Sequence, residues 1–494
     1  MADITTAALA EATTTKGAVR GFWRGEPGEP GASAAFLGIP FDQPPVGELR
    51  FAAPVPVEPW EGVRDALAFG ATAQRGDPGV TLIPEPSVPG ESTLNVNVFT
   101  PSPGEGAALP VLVWIHGGGY FAGSPASPWY DGRSFNRDGV VTVTISYRLG
   151  FVGFGHVEGA PENRGVRDWI AALEWVQENI RAFGGDPGRV TIAGQSAGGG
   201  AVLTLLGIAQ AQHLFHGAWA LSSATADIPP ERARTLTAKI ANALGIPPTL
   251  AAFEAVDEER LIEAQKAATD VGTDMTAFLE EGLGLGPAID GDLIVRPTLD
   301  SLRAGVGADK PLVLGATDDE FSMVLAGQEK KLRWIPLSLL FGKMGVKGTL
   351  RSAYLAANGD VVRRGHAAML GRYLTDRMFR TAVVRTAEAR GVAPTWVYRY
   401  EYAGSPFGSA VHCIDVPFWF DCLDSPVGIP ALAGPNPPQA LADATHGAAV
   451  ALVRDGDPGW PAWSDRPGAT RLFGGPAHTP DVSSDGYASV RPLL

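Results

Sequence analysis

Apolar residues in this chain come in short β-branched runs rather than in long blocks. Residues 111–115 and 140–145 have strand length, and 190–193 repeats the pattern. Between the last two, residues 167–183 carry Trp169, Ile170, Leu173, Val176 and Ile180 at helical spacing. Strand, helix, strand with buried β-branched runs predicts an α/β chain wound around a parallel sheet. Residues 312–315 and 396–402 extend that sheet. The earlier part, with alternating stretches such as 94–99, predicts a loop-rich β region. Residues from about 327 to 390 read as helix with apolar faces of their own and no polar linker beside them. One domain over residues 1–494 is therefore expected, with 327–390 as a cap-like helical insertion.

Composition changes this picture little. A 494-residue chain that is 45% hydrophobic and 19% charged has an ordinary globular balance. No run is long and apolar enough to span a bilayer, so no membrane partner is expected. The N-terminal stretch has neither a basic start nor an apolar centre, so no secretory signal is predicted. The two cysteines, Cys413 and Cys422, make neither a disulfide scaffold nor a zinc site, and a cytoplasmic location is expected. The formal net charge is −14 and the 39 basic residues are dispersed, which argues against nucleic acid as a partner. Sixty-two glycines make glycine-based motifs cheap, so each needs its context.

Gly194-Gln195-Ser196-Ala197-Gly198 matches G-x-S-x-G, a sharp strand-to-helix turn that lifts a serine hydroxyl above a sheet. Chance supplies ~0.3 such matches in a chain this rich in glycine. Here the β-branched run Val190-Thr191-Ile192-Ala193 precedes the motif, and a small-residue then apolar stretch follows it. His116-Gly117-Gly118-Gly119-Tyr120 directly follows the 111–115 run. Acyl transfer places negative charge on a former carbonyl oxygen, and backbone N–H groups in a loop without side chains can receive it. The N–H groups of Gly118, Gly119 and Ala197 are the candidate donors.

With these motifs in place, the sequence resembles the type B carboxylesterase family, which includes cholinesterases and bacterial para-nitrobenzyl esterases. The resemblance covers nearly the whole chain. It runs through Phe36-Leu37-Gly38-Ile39-Pro40-Phe41, Asn163-Arg164-Gly165-Val166-Arg167-Asp168, Phe183-Gly184-Gly185-Asp186-Pro187, Ile289-Asp290-Gly291 and Gly456-Asp457-Pro458-Gly459-Trp460-Pro461. It implies an α/β-hydrolase fold with a large mixed, mostly parallel central sheet and helical cap insertions. It also implies a serine carboxylesterase in which Ser196 is the nucleophile. The family's acid follows a strand in a pattern like G-x-x-x-D-E, which falls on Glu320. Its histidine lies in a pattern like H-x-x-E-x-P-F, which falls on His412. The order serine, acid, histidine is that expected of the fold.

Three departures bear on the site. Gln195 stands where the family often has glutamate, which makes a cationic substrate less suitable. Thr93 replaces a cysteine found in some members, and Asp415 replaces the glutamate three residues after the histidine. Candidate substrate-pocket residues are Tyr120, Phe121, Gln195, Phe278, Leu279 and Phe418, which suit apolar or aromatic esters of small to medium size. The expected partners are that small-molecule ester and water, the chain acting as a monomer or small homo-oligomer with no metal or organic cofactor. An amidase or carbamate hydrolase on the same triad is the nearest rival. A non-catalytic cholinesterase-like binding protein is disfavoured because the triad and the glycine loop are all present.

Overall fold

In the computed structural model, which describes residues 7–79, 81–270, 279, 282–476 and 481–494, the short apolar runs pair into one thirteen-stranded sheet. Its N-terminal strands are β1 (Leu9–Thr14), β2 (Gly17–Arg24), β3 (Ser33–Pro40), β4 (Val63–Asp65) and β5 (Asn95–Thr100). These are followed by β6 (Leu109–Ile115), β7 (Val141–Ile145), β8 (Gly185–Gln195) and β9 (Gly217–Leu221). The last are β10 (Leu312–Thr317), β11 (Thr395–Tyr400), β12 (Thr470–Phe473) and β13 (Val482–Ser483). The spatial order is β1-β2-β3-β5-β7-β6-β8-β9-β10-β11-β12-β13, with β4 beside β2. Pairs from β7 through β12 are parallel, whereas β1, β2, β3, β5 and β7 meet antiparallel.

Both faces of the parallel part are covered, which explains why its strands are apolar throughout rather than alternating. On β6, Val111, Val113 and Ile115 enter one core, while Leu112 and Trp114 enter the other. Val113 lies between Val143 of β7 and Ile192 of β8, so the centre of the sheet is a row of β-branched side chains.

The crossover between β7 and β8 is the helix Arg164–Asn179, continued by the 3-10 turn Ile180–Phe183. It begins at Arg164 rather than at residue 167. The periodic pattern could not show this, because Arg164 is a charged residue that is fully buried. Its guanidinium donates to the carbonyls of Phe151, Val152, Gly155 and Pro161, satisfying groups a chain bend leaves open. Nearby, Asp168 pairs with buried Arg148 at 2.6 Å, and Asn163 donates to Ala288 O and Asp290. Several of the residues that carry the family resemblance are thus internal clasps.

The stretch after β10 is helical, from Glu329–Leu332 to Thr381–Arg390, and it is the crossover that returns the chain to β11. It has a small core of its own, including Phe341, Tyr354, Met369 and Tyr373. One turn, Asp376–Arg380, is π-helical. Inside it Arg380 and Asp376 pair at 2.7 Å with neither side chain exposed, and Tyr354 donates to the same carboxylate. Among the described residues no helix is long and apolar enough to cross a membrane. Both cysteines are buried free thiols.

Candidate active site

Open parallel sheets collect ligand-binding groups beyond the carboxyl ends of their strands. The candidate residues lie there: His116 to Tyr120 after β6, Ser196 after β8, Glu320 after β10 and His412 in the loop beyond β11.

Ser196 has φ 59° and ψ −122°, a conformation that costs a non-glycine residue about 1–3 kcal/mol. Three backbone bonds hold it there. Its N–H donates to Leu221 O at 2.9 Å, and its carbonyl accepts from Gly200 at 2.9 Å and Ala224 at 3.0 Å. The flanking glycines are required by close approach. A Cβ on Gly198 would lie 2.1 Å from Ile115 O, and one on Gly194 would lie 2.5 Å from the carbonyl carbon of Gly198. The helix Ala197–Gly207 starts immediately afterwards, so the N–H of Ala197 belongs to its open first turn.

The loop after β6 turns through positive φ at Gly118 (97°), Gly119 (62°) and Tyr120 (66°). A Cβ on Gly118 would sit 2.2 Å from Ala122 O, so only glycine fits. Among the described residues the N–H groups of Gly118 and Gly119 donate to no backbone acceptor. His116 supports this loop. Its ring stacks on Tyr147 with centroids 4.4 Å apart, and the Tyr147 hydroxyl donates to His116 O. Burial pushes its pKa down to about 4, which keeps it neutral.

Glu320 and His412 are brought together from opposite sides of the long helical crossover. His412 Nδ1 lies 2.5 Å from Glu320 Oε2, and Thr317 N–H donates to Glu320 Oε1 at 2.8 Å. The backbone N–H of His412 donates to Glu320 O at 2.8 Å. A carboxylate at Nδ1 places the ring proton there and leaves the lone pair on Nε2. Burial works to lower the His412 pKa, but the neighbouring Cys413 and the Glu320 carboxylate carry it above the ordinary histidine value. Burial raises the pKa of Cys413 itself, so at neutral pH it is an uncharged thiol and Glu320 is the pull that persists.

The two acidic residues before Glu320 are not a solvated turn. Asp318 takes a bidentate contact from Arg399 at 2.5 and 2.8 Å, and Arg372 lies 3.4 Å from both Asp318 and Asp319. Arg364 reaches Asp319 at 3.2 Å. Burial works to raise the pKa of Asp318, yet Arg399 and Arg372 hold it well below the usual carboxylate range. On the other side, Phe321 and Phe379 pack against the His412 ring with centroids at 5.0 and 5.1 Å. Asp415 is buried, with one oxygen accepting from Tyr398 OH at 3.1 Å and the other unpartnered among the described residues. Burial, then the proximity of Glu320, pushes its pKa to about 7.

The pocket candidates are placed in different ways. Phe121 is 43% exposed beside Gly119. Tyr120 has no exposed surface; its ring packs on Phe154 and its hydroxyl donates to Ala224 O, so it lies beneath the loop. Phe418 is fully buried against Tyr400 and Tyr402. Leu279 packs on the core of the helical crossover, and Phe278 lies outside the described residues. Gln195 is buried with its amide 3.1 Å from His412 Nε2. Sequence reasoning missed Phe321, Phe379, Arg372 and Arg399. Adjacency to Glu320 could have suggested Phe321, but no spacing signal marks the other three.

Comparison with known proteins agrees with this architecture. The model of the carboxylesterase family matches residues 8–428. The para-nitrobenzyl esterase of Bacillus subtilis (strain 168) is 32% identical over 463 residues, covering 88% of this chain and 90% of the relative. The phenmedipham hydrolase of Pseudarthrobacter oxydans is 33% identical over 490 residues, covering 93% and 95%. Among solved structures, a Geobacillus stearothermophilus carboxylesterase superposes with a TM-score of 0.82 at 31% identity, covering 97% of this chain and 99% of that one. The fold, the two glycine corners and these likenesses agree: the chain belongs to the carboxylesterase family and is a carboxylic ester hydrolase with the α/β-hydrolase fold.

Proposed function

We propose that this enzyme hydrolyses carboxylic esters of small to medium apolar or aromatic substrates through an acyl-enzyme on Ser196. The observation that carries this reading is the 2.5 Å pair of Glu320 and His412, whose ring lies 3.1 Å from the side chain of Gln195, the residue before the strained Ser196. Ser196 Oγ attacks the ester carbonyl and passes its proton to Nε2 of neutral His412. Glu320 keeps the other ring proton on Nδ1 and stabilises the imidazolium. The carbonyl oxygen, now negative, accepts from the N–H groups of Gly118, Gly119 and Ala197. His412 returns the proton to the departing alcohol, and water then attacks the acyl-enzyme by the same route. The exposed ring of Phe121 and the partly exposed Phe321 give the approach an apolar lining, in keeping with a relative named for a para-nitrobenzyl ester. All of this belongs to one domain in which the helices between β10 and β11 act as the cap.

The test is hydrolysis of para-nitrophenyl butyrate by the wild type and by Ser196→Ala. Turnover should fall by about 10⁴-fold or more, with the unfolding transition unchanged. Equal rates would refute Ser196 as the nucleophile.

A further inference from the structure

We propose that Gln195 is a positioning residue that occupies the lone pair of His412 Nε2 in the resting enzyme, in competition with Ser196. This rests on the reading of Ser196, His412 and Glu320 given above.

Gln195 is the last residue of β8, paired with Leu221 of β9, and its side chain is 1% exposed. Its Nε2 lies 3.1 Å from His412 Nε2. In the neutral ring the Glu320 carboxylate holds the proton on Nδ1, so Nε2 accepts and the Gln195 amide N–H donates to it. The opposite amide orientation would set Oε1 against that lone pair. Oε1 points instead toward the oxyanion loop, where a Cβ on Gly117 would be 3.3 Å away. Among the described residues Ser196 Oγ makes no hydrogen bond, while Ser196 itself is only partly buried. The ring cannot easily turn away from the amide, since Phe321 and Phe379 pack against it and Nδ1 is tied to Glu320.

A nitrogen lone pair accepts one good hydrogen bond. The hydroxyl of Ser196 therefore reaches Nε2 only as the amide gives way, and substrate entry beside the oxyanion loop is the event that brings the two into competition. The Gln195 amide also opposes Glu320 electrostatically. An N–H aimed at Nε2 favours the neutral ring, whereas Glu320 favours the imidazolium. Glutamate at this position, as the family resemblance carries, would add to Glu320, since a carboxylate accepts from the protonated ring. The other titratable groups facing His412 are Cys413, a buried thiol, and Asp415, buried under Tyr398. Both are common to every variant compared, so a difference between variants reports position 195.

The test is the titration of His412, read by NMR with nitrogen-15-labelled histidine in the Ser196→Ala background, together with the acid limb of kcat/KM in active enzyme. Gln195→Leu removes the donor at similar volume and should raise the proton affinity of His412 about threefold. Gln195→Glu should raise it tenfold or more, moving the acid limb to higher pH by about a unit. Unfolding midpoints near the wild type confirm that each variant folds, and Gln195→Met, which also lacks the donor, takes the place of the leucine variant should that one not fold. An unchanged His412 midpoint in the glutamate variant, or an unchanged or lowered one in a folded leucine variant, overturns the proposal. If Ser196→Ala hydrolyses para-nitrophenyl butyrate like the wild type, the triad reading itself fails, whatever position 195 does.

Discussion

The candidate site is assembled from two halves of the sheet that hold their residues by different physics. On the β6–β8 half, Ser196 and the glycine loop are set by local backbone geometry. A Cβ on Gly198 would run into Ile115 O, one on Gly118 into Ala122 O, and a strained serine sits between a strand and a helix. On the β10–β11 half, Glu320 and His412 are set by contacts distant in sequence. Arg372 and Arg399 grip the aspartates before Glu320, and Phe379, from the π-helical turn, packs on the histidine ring. The first half leaves no room for a Cβ at Gly118, Gly194 or Gly198 and uses no charge. The second is built from groups that respond to pH and to the loss of a distant partner.

The strongest break of this comparison is Gly198→Ala. A methyl group 2.1 Å from a backbone oxygen cannot be accommodated without moving β6 or the following helix. Esterase activity should be lost, and stability should fall by roughly 4 kcal/mol or more in a denaturant titration. A variant with near wild-type turnover would mean that the elbow can relax.

Arg372→Met probes the other half. It leaves Asp318 and Asp319 short of a buried cation and should cost about 3 kcal/mol, with a fall in kcat as Glu320 loses its footing. The pH dependence follows from the depressed pKa of Asp318. A carboxyl whose folded pKa is lowered stabilises the fold above its unfolded value, about 4, and that stabilisation is lost as pH falls further. The stability gap between wild type and variant should therefore narrow below about pH 4, read from denaturant midpoints across pH. Gly198→Ala should show no such narrowing. A constant gap for Arg372→Met would assign its role to packing rather than charge.

The smallest effect is expected where neither kind of constraint operates. Phe121 is 43% exposed, so Phe121→Ala should change stability by about 0.5 kcal/mol or less. It should nevertheless raise KM for an aryl ester more than for an alkyl ester, measured on para-nitrophenyl and alkyl esters of the same acid. Equal changes for the two would remove Phe121 from the substrate's path.

The local half was legible in the sequence because its constraints are local. A glycine corner leaves its mark within a few residues, and the strand before it is recognisable from β-branched runs buried on both faces. The sheet, the helix between β7 and β8, and both glycine motifs followed from such patterns. Glu320 and His412 came only from the family resemblance, since an acidic cluster and one histidine among eight carry no positional signal of their own.

The amino-acid sequence by itself determined the parallel sheet, the runs that form its central strands and the residues at its glycine corners. The reason is that periodicity and steric demand act over a turn or a strand. Tertiary structure alone decided that Asp318 and Asp319 are gripped by Arg372 and Arg399, that Phe379 packs on the His412 ring, and that the Gln195 amide meets His412 Nε2. Each of those contacts joins residues brought close by the long crossover or by separate strands, and no spacing along the chain encodes where such partners meet.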